Sequence, residues 1–120
     1  MAKEVVRSHG LKVGDVLVSS WGYEQTNLDF YQVIALNGKS MVTVRKVHLP
    51  VKSEKGVSWA SRDVSFALPD GIVESDAKPF RRVVKNFRRD KDPAGDLIEI
   101  NSYADASRYD GGTLYESWYA

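Results

Sequence analysis

Phe30-Tyr31-Gln32-Val33-Ile34-Ala35-Leu36-Asn37-Gly38-Lys39-Ser40-Met41-Val42-Thr43-Val44-Arg45-Lys46-Val47 is an apolar-rich run, a short polar break and a second apolar-rich run. Asn-Gly in such a break marks a β-hairpin, because a type I′ turn needs positive φ at both central residues and these two tolerate it best. Upstream, Gly14-Asp15 opens another run in which Val16 and Val18 alternate with Leu17, Ser19 and Trp21, a period of two that suits a strand. Downstream, His48-Leu49-Pro50 closes the hairpin and Lys52 to Gly56 reads as an exposed loop. Val57 to Ala60 is a candidate short strand, and Val64, Phe66 and Leu68 alternate with Ser65 and Ala67 before the Pro69-Asp70-Gly71 turn. Phe80 to Phe87, Leu97 to Ile100 and Leu114 to Tyr119 supply further extended segments. No segment sustains an i, i+3, i+4, i+7 apolar pattern over three turns, so helix is limited to one short candidate at Ser61 to Ala67 or Tyr103 to Tyr109.

These runs predict an all-β chain built as a small antiparallel barrel, since closure removes exposed sheet edges. The opening Gly-Asp-Val, a long first loop and a tight hairpin point to an SH3-like barrel over residues 11–49, a loop-rich connection over 50–76 and elaborating C-terminal strands over 77–120. A length of 120 residues, 42% of them apolar and 28% charged, fits one globular domain. The formal net charge of +1 argues against a general polyelectrolyte binder. That charge is nevertheless uneven: residues 1–76, 77–91 and 92–120 carry 0, +6 and −5. No cysteine occurs, which removes disulfides and thiol chemistry and is compatible with a reducing compartment. The longest apolar run is only Val33 to Leu36, and Met1 to Gly10 has no apolar core of a signal peptide. The expectation is therefore a cytoplasmic protein with no membrane partner; its oligomeric state is left open.

Two stretches stand out as candidate surfaces. Ser19 to Gln32 places four aromatics and several uncharged hydrogen-bonding side chains around Gly22, where a plain connection takes about 2–5 residues. Trp21, Tyr23, Glu24, Gln25, Thr26, Asn27 and Asp29 are the candidate partner-binding residues, with Trp21 as support and Tyr23, Gln25 and Asn27 facing outward. Against this, Trp21, Phe30 and Tyr31 suit a core, and Thr26, Asn27 and Asp29 suit hydrogen bonds to the loop's own backbone. The second stretch, residues 78–91, interleaves Lys78, Arg81, Arg82, Lys85, Arg88 and Arg89 with Phe80 and Phe87, a pattern that suits phosphates and stacked bases. As a strand it has no purely basic face, and pairing of a solvated edge with the following Asp92, Asp96 and Glu99 is the competing and favoured reading.

The run from Gly14 to Val33 resembles a family of small uncharacterised proteins encoded by bacteriophages and plasmids, whose shared core is similar to S-W-G-Y-x-Q-T-N-x-x-F-Y-Q-V, here Ser20 to Val33. The endings Ile100-Asn101-Ser102-Tyr103 and Trp118-Tyr119-Ala120 are similar as well. The resemblance implies a mobile-element accessory protein, a non-enzymatic binder of a host protein such as a counter-defence inhibitor of the anti-CRISPR kind. A nucleic-acid-binding module using residues 78–91 is the alternative, and a small enzyme using Glu24 or Asp29 comes last. His9 and His48 are the two histidines, H-E-x-x-H and phosphate-loop spacings are absent, and neither metal nor cofactor is expected.

Overall fold

A computed structural model of the chain describes residues 9–22, 25–86 and 95–118. Among them are nine strands and no α-helix: β1 (Val16–Trp21), β2 (Asn27–Asn37), β3 (Met41–Val47), β4 (Val51–Lys55), β5 (Ser61–Phe66), β6 (Phe80–Asn86), β7 (Asp96–Asn101), β8 (Ala104–Arg108) and β9 (Leu114–Ser117). All pairings are antiparallel. A closed barrel runs β1-β2-β3-β6-β7-β8, with β8 returning to β1 through Leu17↔Arg108 and Val18↔Ser107, and a three-stranded sheet runs β4-β5-β9.

The all-β class and the antiparallel barrel are as the sequence predicts, but the division of labour along the chain differs. Residues 11–49 supply three of the barrel's strands, and β6, β7 and β8 complete its wall instead of elaborating it. The connection over 50–76 contains β4 and β5. Their apolar pattern is weak, since every residue of β4 is exposed and only Val64 to Phe66 of β5 are buried. What organises them is pairing with each other and with β9, together with Arg62, which bridges Glu54 and Glu116 across the sheet. Both stretches allowed a short helix lie largely in β5 and β8. The β2–β3 hairpin forms, with Asn37↔Met41 as its last pair, so the turn is the three residues Gly38 to Ser40 instead of a two-residue type I′ turn. Gly38 sits at φ 67. Gly38→Val should lower unfolding stability by about 1–2 kcal/mol, because a β-branched side chain is disfavoured at positive φ, and urea titration checks this.

Alternation on β1 and β2 sends side chains into two separate cores. Leu17, Tyr31 and Val33 point into the barrel, where they meet Val42, Val44, Val84, Ile98 and Ala106. Val16 and Phe30 point outward, where Val47, Leu49, Val64, Phe66 and Tyr109 form a second core between the barrel wall and the small sheet. One end of the barrel is stoppered. Leu11, 2% exposed, packs into the barrel core, and its approach is fixed by Gly10 N–H donating to Asp96 (2.7 Å) and by Arg108 donating to the Gly10 carbonyl (2.7 Å) and to Asp15 (2.8 Å).

Candidate functional site

At the opposite end the antiparallel order brings together the last residues of β1, β3 and β7 and the first of β2, β6 and β8. On the inward faces there lie Ser19, Trp21, Asp29 and Tyr31, in cross-strand register Ser19↔Asp29, Leu17↔Tyr31 and Trp21↔Asn27. Lys46, opposite Tyr31, reaches Asp29 from β3 with Nζ–Oδ1 at 3.2 Å. The tight β7–β8 turn carries Tyr103, 69% exposed, whose ring lies 5.9 Å from that of Trp21 at an interplanar angle of 53°. Below them the Tyr31 ring meets Phe80 edge-on at 5.7 Å. Burial pushes the Tyr31 phenol above its ordinary value, with the Asp29 carboxylate and Tyr103 adding to the effect, so it stays protonated and able to donate.

The long loop of the sequence reading is largely strand: β1 runs to Trp21 and β2 starts at Asn27, leaving Gly22 to Thr26 as the connection. Tyr23 and Glu24 lie outside the described residues. Trp21 is half-buried and its indole N–H donates to Asp29 (2.7 Å), so Asp29 anchors an aromatic ring and a lysine instead of bonding loop backbone. Gln25 donates to Asn27 (3.1 Å). Thr26 N–H donates to the Ser117 hydroxyl (2.7 Å), and Ser117 N–H donates back to the Thr26 carbonyl (3.0 Å), which ties this connection to β9. Gly22 adopts φ +127, and a Cβ there would stand 2.0 Å from the Gln25 carbonyl oxygen. Gly22→Ala should therefore lower stability by about 2–3 kcal/mol and shift the backbone amide resonances of Gln25 to Asn27, which NMR would read.

The basic stretch divides between the two ends. Lys78 and Arg81 are exposed near the open end, while Lys85 lies further along β6 and pairs with Glu99 at 2.7 Å. Arg82 lies 4.6 Å over the Phe80 ring and donates to the carbonyls of Arg81, Glu99 and Ile100. Arg88 and Arg89 are outside the described residues. The expected compensation by Glu99 is present. β6 is not an edge strand, however, because β3 and β7 flank it in the closed wall. Asp96 faces Gly10 and Asn86 instead of a basic side chain of that stretch.

Sequence reasoning missed Tyr103, Ser19 and Lys46 as members of this end. Tyr103 sits in a turn with no glycine or proline to announce it, and Ser19 and Lys46 are polar residues whose inward direction appears only once the barrel closes. A separate aromatic pair, Trp59 (77% exposed) and Trp118, stands on the small sheet, where the Trp118 indole donates to the Trp59 carbonyl at 2.6 Å. Among the described residues no group of three or more acidic or histidine side chains could hold a metal ion, and no helix is long and apolar enough to cross a membrane. No protein-family model, curated protein or solved structure matches the chain.

Proposed function

We propose that the chain is a non-enzymatic binding protein that captures a protein partner on the open end of its barrel. The observation that carries this reading is Tyr103, a largely exposed aromatic held against Trp21, whose indole is itself fixed by Asp29. Rigid aromatic anchors with adaptable amides beside them, here Gln25 and Asn27, are the composition of binding hot spots. The resemblance of Gly14 to Val33 to phage and plasmid proteins supports a host protein as the partner, hence a counter-defence inhibitor acting in the bacterial cytoplasm. Nucleic acid is less favoured because Arg82 and Lys85 are already engaged.

The test compares the full chain with Tyr103→Ala and Trp59→Ala in capture from a bacterial lysate at low and high salt. Tyr103→Ala should lose the captured protein while its Tm stays unchanged, since truncating an exposed side chain rarely moves stability by more than about 0.5 kcal/mol. Trp59→Ala should retain capture. The reverse pattern would put the binding face on the small sheet, and a captured nucleic acid released by salt would favour the alternative module.

A further inference from the structure

The open end has a floor. Ser19, Trp21, Asp29, Tyr31, Ile100 and Tyr103 are among the residues lining a cavity of 60 Å³. Pockets for drug-sized ligands run to about 300–1,000 Å³, so this space suits one side-chain head group and not such a ligand. Ser19 is among the residues that line it and is 1% exposed, and its hydroxyl has no hydrogen-bond partner. A buried hydroxyl left unpaired is costly, so a polar group belongs opposite it.

The chemistry of the lining narrows what that group is. Asp29 accepts from the Trp21 indole and pairs with Lys46, which leaves lone pairs on both carboxylate oxygens. The hydroxyls of Ser19 and Tyr31 accept as well as donate, and aromatic faces such as those of Trp21 and Tyr103 attract cations. An anionic head group would stand against Asp29. A trimethylated ammonium has no N–H for Ser19 or Asp29. The neighbouring cations are accounted for: Arg82 is spent on main-chain carbonyls, and Lys46 is exposed enough to swing away.

Resting on the open end as the binding face, we infer that this cavity receives the unmethylated primary ammonium of a lysine side chain from the partner. The incoming nitrogen donates to Ser19 Oγ and Asp29, its methylene stem lies against Trp21 and Tyr103, and Lys46 is the internal cation it displaces.

The test titrates the ¹⁵N-labelled full chain with Nα-acetyl-lysine amide and follows the assigned Trp21 indole N–H resonance. The norleucine and trimethyllysine analogues serve as comparators. A saturable shift is expected with lysine, at least about tenfold weaker with either analogue, because each forfeits charge-assisted hydrogen bonds. Ser19→Ala should weaken lysine binding severalfold without lowering Tm, and Lys46→Gln should strengthen it severalfold. No saturable shift with lysine, or equal binding of norleucine, overturns the inference. If lysine fails while Tyr103→Ala still abolishes partner capture, the cavity assignment falls and the binding face stands. If lysine binds while Tyr103→Ala retains capture, the cavity assignment stands and the face falls.

Discussion

Gln32→Leu should lower unfolding stability by about 3–5 kcal/mol, although leucine is apolar, similar in size and replaces a fully buried side chain. Gln32 faces outward from the barrel and is closed over by the segment that follows β5. Its amide nitrogen donates to the carbonyls of Gly14 (3.1 Å) and Gly71 (2.8 Å), and its oxygen accepts from Val73 N–H (2.7 Å). Leucine would leave three main-chain groups without that partner, each worth about 1–3 kcal/mol where water cannot replace it. Denaturant titration should show a lower midpoint with an unchanged slope. Gln32→Glu separates polarity from shape. Its carboxylate would face two carbonyls, so its folded pKa would be raised. The variant should therefore be most stable below the ordinary glutamate range and lose stability as pH rises through the raised value. Wild-type stability in Gln32→Leu would mean that the 71–73 segment is held by other contacts.

Phe30→Ala should remove a comparable amount, about 3–5 kcal/mol, for the opposite reason. The ring is 5% exposed and lies 4.6 Å from Phe66 and 5.4 Å from Tyr109, at angles of 61° and 50°. Those two partners belong to the small sheet and to the chain leaving β8, so the ring joins the two layers. Tyr109 reinforces the joint with its hydroxyl, which accepts from Phe66 N–H (2.9 Å) and donates to the Gly112 carbonyl (2.6 Å). Truncation leaves a cavity at the seam, and hydrogen exchange should rise in β5 and β9 before it rises in β7. Uniform acceleration across all strands would instead show that the layers open as one unit.

Much of this architecture was legible. Alternation around Asn37-Gly38, the turn at Gly14-Asp15 and the extended segments from Phe80 onward locate five of the six barrel strands to within a few residues, whereas β8 falls in a stretch that allowed a short helix. In the second sheet Val64 to Leu68 and Leu114 to Tyr119 were read as extended, but β4 was not, because it is exposed throughout and an exposed strand needs no apolar alternation. The candidate site was half legible. Trp21 and Asp29 belong to the stretch that composition marked out, yet Phe30, Tyr31 and Gln32 in the same stretch serve two cores and a buried polar clasp. Consecutive burial on β2 erased the period-two signal that separates inward from outward residues. Tyr103 and Lys46 came to the site through pairings between distant segments, which a local reading does not contain.

The β1–β8 seam sets the order of events during synthesis. Leu17 waits for Arg108 and Val18 for Ser107, so ring closure cannot begin until about 90 further residues have left the ribosome, some 5–20 seconds at ordinary elongation rates. Throughout that interval the β1–β3 meander exists as an open ribbon with two unsatisfied edges, one of which β6 later covers and the other only β8. The nascent chain is therefore exposed to intermolecular strand pairing for most of its translation, and its yield should depend on chaperone supply and temperature more steeply than the stability of the finished ring would suggest.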